Sequence, residues 1–140
     1  MKLMAESKEL VIYIDGASRG NPGPASFGVE IRNTRREVVK TLSASLGTTT
    51  NNVAEYFALV NALEEALILG ASKAHIFTDS ELLARQFSGE YKVKDPFIRL
   101  LYRHAKRLAG RLNACEVQHI PREENKAADK LANDALDTLL

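Results

Sequence analysis

The sequence holds 140 residues, 45% of them hydrophobic, with a formal net charge of +1: enough chain for one domain with its own core, and too balanced to announce a polyanionic partner by charge alone. The lone Cys115 excludes an internal disulfide and a cysteine-built zinc site; it suits a reducing cytoplasm, the expected location. No run is apolar for the length a bilayer needs, and the first ten residues lack a long apolar stretch and a cleavage site, so neither a membrane span nor a signal peptide is expected.

Residues 1–140 are expected to form one domain, with 1–8 a flexible tail. Residues 9–15, ELVIYID, are apolar on both alternating sets, Leu10, Ile12, Ile14 and Val11, Tyr13. This predicts a central strand covered on both faces and ended by Asp15. A loop rich in glycine and proline follows. Residues 25–32 then alternate, with Phe27, Val29 and Ile31 set against Ser26, Gly28, Glu30 and Arg32. After a turn at Asn33–Arg36, alternation resumes through Val38, Leu42, Ala44 and Leu46. Three strands joined by short turns form an antiparallel meander.

The period then changes to that of a helix, from Asn52 to Leu69, stopped by Gly70. KAHIFTD is a short buried strand and SELLARQF a short helix. Asp95-Pro96 opens the next helix, with Asp as N-cap and Pro in the first helical position; Ile98, Leu101, Ala105 and Leu108 face inward. NACEVQHI is a last strand. A final helix runs from about Glu123 to the C-terminus on an apolar stripe of Ala128, Leu131, Ala135 and Leu139. The order β-β-β-α-β-α-α-β-α predicts an α/β fold: a mixed five-stranded sheet with helices on both faces. Sites in such sheets gather beyond the carboxyl ends of the strands.

Asp15 and Asp79 both leave apolar strands at that end. If the two strands are parallel neighbours, their carboxylates face each other, and a divalent cation taking hard oxygen ligands relieves the repulsion. Each has a plainer reading. Asp79 can cap the helix that starts at Ser80, and Asp15 can form an Asx-turn. Glu55 can stand at the third helical position of a capping box begun by Asn52. Asp129 can be a flank residue of an amphipathic helix. No single carboxylate is specific; the combination carries the argument. Charge is also unevenly placed. From Arg85 to Arg111 lie eight basic and two acidic residues, +6, which leaves −5 for the rest. Such a segment is either a solvated helix face or a surface for a phosphate backbone.

The motifs YIDGASRGNPGPASFG, TTTNNVAEYFAL, IFTDS and HIPREENKAADKLA occur in order and spacing that resemble type 1 ribonuclease H, over nearly everything from Leu10 to Leu136. The resemblance implies the ribonuclease H-like fold and cleavage of the RNA strand of RNA–DNA hybrids. It implies two Mg²⁺ ions, with Mn²⁺ as substitute, and products with 5′-phosphate and 3′-hydroxyl ends. Its four-carboxylate set falls on Asp15, Glu55, Asp79 and Asp129, with Asp15 as the bridging ligand. Ser18, Asn21, Thr50, Asn51 and Asn52 occupy positions that touch the hybrid in the family, although Asn21-Pro22-Gly23-Pro24 also reads as a rigid turn. The best-known family members place a mobile histidine before the last aspartate, and some relatives carry arginine there. Here Arg122 is the first candidate for that place, as a phosphate or product contact, and His119 the second. The basic handle helix of some members has no room between the short helix and Asp95, and no N-terminal hybrid-binding domain is expected. Hybrid binding is therefore assigned to the +6 segment through Tyr91, Lys92 and Lys94. Double-stranded RNA is a further substrate in some relatives. A monomer without membrane contact is expected. The competing readings are another nuclease of the same fold and a non-catalytic nucleic-acid-binding module.

Overall fold

In the computed structural model, which describes residues 8–138, the alternating segments pair as an antiparallel meander: β1 (Glu9–Ser18), β2 (Gly23–Arg32) and β3 (Val38–Thr49). There follow α1 (Asn51–Ile68), β4 (Lys73–Thr78), α2 (Glu81–Phe87), α3 (Pro96–Ala109), β5 (Ala114–His119), a 3-10 turn at Arg122–Glu124, and α4 (Lys126–Asp137). The sheet order is β3-β2-β1-β4-β5, and β4 lies parallel to both β1 and β5. This is the expected mixed five-stranded architecture. Of the expected tail, residues 1–7 lie outside the described residues, as does Leu139.

Asp15 does not end β1, contrary to the reading of the sequence. Parallel pairing with β4 stops at Ile14↔Thr78, while antiparallel pairing with β2 continues from Asp15↔Gly28 to Ser18↔Ala25. The strand loses one neighbour at Asp15 and keeps the other, so the sheet splits there. Glycine and alanine in residues 16–18 carry too little apolar signal to mark a strand, and the backbone ladder alone extends it.

Two glycines show which helix covers which face. Gly28 is the partner of Asp15, and Gly16 is the next residue along, so their missing side chains point to opposite faces. A Cβ on Gly16 would lie 2.3 Å from the backbone nitrogen of Glu55 in α1; a Cβ on Gly28 would lie 2.4 Å from the Ala128 carbonyl of α4. Helices α1 and α4 therefore sandwich the sheet. Leu10, Ile12 and Ile14 pack under α1 with Tyr56, Leu59 and Leu63 in one core. On the other face α4 buries Ala128, as expected, but with Ala132 and Leu136 rather than Leu131 and Ala135, which are half-buried. The buried Ser26 hydroxyl donates to the Ala132 carbonyl and pins this helix to β2. Ser26, Gly28 and Glu30 are thus buried, not solvent-facing as their alternation implied.

Helix α4 does not reach across β4 and β5, so Val11 and Tyr13 are half-buried and β1 is not fully covered on both faces. Side-chain pairs satisfy the open part. Tyr13 stacks on Phe77 at 5.3 Å, and His75 sits between Glu9 and Glu116, 3.1 Å from each. The hydrogen bonds to Glu9 and then Glu116 raise the His75 pKa above its ordinary value.

Two outcomes follow from these contacts. Gly28→Ala drives a Cβ into the α4 backbone and should cost about 1–3 kcal/mol in urea unfolding; an unchanged midpoint would contradict this docking. The His75 cluster stabilises the fold below pH ~6.5, and this contribution fades as pH rises through the higher folded value. The advantage of wild type over His75→Gln, about 0.2–1 kcal/mol for so exposed a group, should shrink above neutrality and with salt.

Candidate active site

Helix caps decide where the carboxylates point. The N-cap of α1 is Thr50, whose Oγ1 accepts the Val53 N–H at 3.3 Å. Asn52 is therefore not the cap, and the capping box predicted for Glu55 does not form. Glu55 lies two residues too deep and turns toward the sheet, where it accepts the Gly16 N–H. The close approach allowed by Gly16 makes this contact possible. Likewise Ser80, not Asp79, caps α2, accepting the Leu83 N–H at 3.1 Å. Asp79, the residue after β4, is left free of that task.

Asp15, Glu55 and Asp79 each offer a carboxylate oxygen within 4.8 Å of the others. Asp15 is 4% exposed and Glu55 2%. At such separations a charged pair near a protein surface repels by about 3 kcal/mol. Burial, then repulsion from Asp79, then a hydrogen bond to Asp129 push the Asp15 pKa up to about 9. Burial, then Asp15 and Asp79, raise Glu55 well above the carboxylate range, and its Oε2 is buried without a hydrogen-bond partner. Asp129, in the first turn of α4, closes the fourth side; the Arg122 guanidinium stands 3.7 Å from its Oδ1 and lowers the pKa of both Asp15 and Glu55.

These groups line a cleft of about 400 Å³ together with Ser18, Asn51 and Ser80. Clustered hard oxygen donors, mutual repulsion and an orphaned carboxylate oxygen fit a divalent cation of the Mg²⁺ or Mn²⁺ type. Asp15, Glu55, Asp79 and Asp129 are the residues that would hold it.

The structure separates the other predicted residues into groups. Arg122 lines the cleft; His119, exposed on β5 beside Thr78, does not. Ser18 lies in the cleft wall, its Oγ within reach of the Gly20 and Thr49 carbonyls. Asn21 sits in a turn with a cis Asn21–Pro22 bond, and its Oδ1 accepts the Asn51 N–H at 2.9 Å. Asn21 and Thr50 thus brace the start of α1, and Asn52 Oδ1 is buried without a partner. Tyr91, Lys92 and Lys94 line a separate depression of about 550 Å³ at the joint of α2 and α3, with Arg99 and Arg103.

Reading the sequence missed Arg19 and Asn133. Arg19 lines the cleft and pairs with Asp137 at 2.6 Å, tying the β1–β2 loop to α4. Asn133 donates to Asp129 Oδ1 at 3.2 Å; its place four residues after Asp129 was the available signal.

The family model described as "Reverse transcriptase-like" matches residues 13–135. The bifunctional protein Rv2228c of Mycobacterium tuberculosis is 43% identical over 130 residues, covering 92% of this chain and 36% of the relative. Its N-terminal RNase H domain superposes with a TM-score of 0.91 at 42% identity, covering 94% and 96% of the two chains. Ribonuclease HI of Halobacterium salinarum is 40% identical, over 89% of this chain and 63% of the relative. LC11-RNase H1, solved in complex with an RNA/DNA hybrid, has a TM-score of 0.88 at 40% identity, covering 93% and 98%. The chain thus spans 36–63% of the length of these two curated relatives.

The raised Asp15 pKa gives the cation-free protein a definite pH profile. The contribution of Asp15 to stability is fully present below the ordinary carboxylate value and is lost as pH rises toward about 9. Asp15→Asn should flatten that slope and unfold later than wild type at pH 8 in EDTA, by about 1–3 kcal/mol. Thermal melts across pH check this, and parallel slopes for the two proteins would refute it.

Proposed function

This chain belongs to the type 1 ribonuclease H family, and from that membership we propose that it is a metal-dependent endonuclease that hydrolyses the RNA strand of RNA–DNA hybrids. The carboxylate cluster at the sheet split carries the proposal. A non-catalytic binding module has no use for carboxylates that destabilise one another, and the DGASRGNPGP loop and TTTNN segment argue against another nuclease of the same fold. Asp15, Glu55, Asp79 and Asp129 would hold two Mg²⁺ ions, or Mn²⁺ in their place, and these would supply Lewis acidity to hydrolysis of the phosphodiester that leaves 5′-phosphate and 3′-hydroxyl ends.

The residues divide the work by position. Asp15 is the central ligand, because it interacts with Glu55, Asp79 and Asp129 alike. Glu55 and Asp79 hold one side of the cleft and Asp129 the other. Arg122 presents a permanently charged fork to a phosphate and cannot act as a base at neutral pH. It is preferred over His119 because it stands in the cleft. Ser18 and Asn51, with the neighbouring Asn21, Thr50 and Asn52, meet the hybrid backbone and the 2′-hydroxyls that mark an RNA strand.

Binding beyond the cleft falls to the α2–α3 joint. Residues 88–95 connect the two helices without room for a further one. Among the described residues, Lys92, Lys94, Arg99 and Arg103 have no carboxylate within 4.0 Å, whereas Arg85 pairs with both Glu81 and Glu90. Unpaired cations beside the exposed Tyr91 suit a phosphate backbone.

The purified protein, given labelled RNA–DNA hybrid, double-stranded RNA and single-stranded RNA with Mg²⁺, Mn²⁺ or EDTA, should cut hybrid RNA only with metal. Asp15→Asn should abolish cutting; hybrid left intact with either metal would sink the proposal. Binding of hybrid should weaken steeply with salt. Lys92→Ala with Lys94→Ala should flatten the log–log salt slope by about 2, and an unchanged slope would remove these residues from the interface.

A further inference from the structure

We propose that Asn125 is a positioning residue that fixes the distance between the carboxylates of Asp15 and Asp129, and so sets the cation affinity of the cleft. The inference rests on the metal-dependent reading above. Asn125 stands at the N-cap of α4, a place where asparagine ordinarily accepts a hydrogen bond from the first turn. Here its side chain makes no capping bond. It is 1% exposed, and its Nδ2 crosses to β1 and donates to the Ile14 carbonyl at 2.8 Å. Its Oδ1 is left buried without a partner.

A buried amide that gives up its cap and leaves one oxygen unsatisfied breaks two local rules at once, and such departures concentrate where function constrains the structure. The gain lies in what the amide connects. Ile14 immediately precedes Asp15. The Asn125 carbonyl accepts the Asp129 N–H at 3.1 Å. Two hydrogen bonds in series therefore join the backbone at Asp15 to the backbone at Asp129. The remaining anchors of α4 named above, Ser26 to Ala132, the close packing on Gly28 and the Arg19–Asp137 pair, hold the helix to β2 and, at its far end, to the loop after β1. Without the Asn125 bond the helix stays docked, but its first turn is free to shift relative to Asp15.

The test separates position from stability. Asn125→Ser keeps an oxygen suited to capping α4 while falling short of the Ile14 carbonyl, so the fold is retained. Titration with Mg²⁺ alone, by calorimetry and by metal-induced thermal shift, should show at least tenfold weaker binding in Asn125→Ser and Asn125→Ala than in wild type. In an Asp129→Ala background that difference should vanish, because Asn125 acts through Asp129. Folded Asn125 variants that bind Mg²⁺ as wild type does would overturn the inference and leave the proposed function standing. An equal loss with and without Asp129 would also overturn it, showing a merely structural role. Failure of the wild type to bind Mg²⁺ or Mn²⁺ would overturn both.

Discussion

Like charges held close together and away from water are the constraint on which this structure turns. Asp15, Glu55 and Asp79 come from a strand, a helix and a strand end, and nothing in their mutual contact favours the arrangement. The energy that holds them comes from elsewhere: from the aliphatic layer between β1, β4 and α1, and from backbone ladders that leave each residue one direction in which to point. The glycines at 16 and 28 serve the same end. They bring α1 and α4 to within backbone contact of the sheet on its two faces, so that helical carboxylates can reach a strand carboxylate. The raised pKa values of Asp15 and Glu55 express the cost of this placement. A cation is the natural relief.

The fold was legible because its signals are local. Change of hydrophobic period marked each switch between strand and helix, and Asp95-Pro96 marked a helix start that the structure reproduces, with Asp95 Oδ1 accepting the Ile98 N–H at 2.9 Å. Parallel pairing of β1 with β4, needed to bring Asp15 beside Asp79, is also present. The failures arose where the deciding contact is distant in sequence. Competing caps one or two residues apart, Thr50 against Asn52 and Ser80 against Asp79, are indistinguishable until tertiary contacts choose which side chain has another task. The continuation of β1 past Asp15 depends on β2, not on residues 16–18 themselves. The burial of Ser26 and Glu30 depends on a helix a hundred residues later.

The same distinction applies to the site. The carboxylates stood out in combination with their motifs, although each alone had a plainer explanation. Asn125 lay inside the last motif without an ionisable group to mark it, and Asn133 offered only its spacing from Asp129; an asparagine at a helix start or on a helix flank is ordinary. Their partners, Ile14 and Asp129, are what make them unusual. The surface also divides by charge: an acidic cleft at the sheet split, and unpaired cations at the α2–α3 joint. The first would repel a polyanion and the second attract one.

The docking of α4 on β2 has a consequence for the order in which the molecule is made. Strands β1 to β3 and helix α1 supply Asp15 and Glu55 within the first half of the chain, and β4 adds Asp79 soon after. The fourth carboxylate and the arginine beside it lie at and just before α4, which returns to β1 and β2. During synthesis the meander waits with its Gly28 face bare until residue 129 has emerged and folded back. The cleft is complete only once α4 has followed β5 out of the ribosome and folded back.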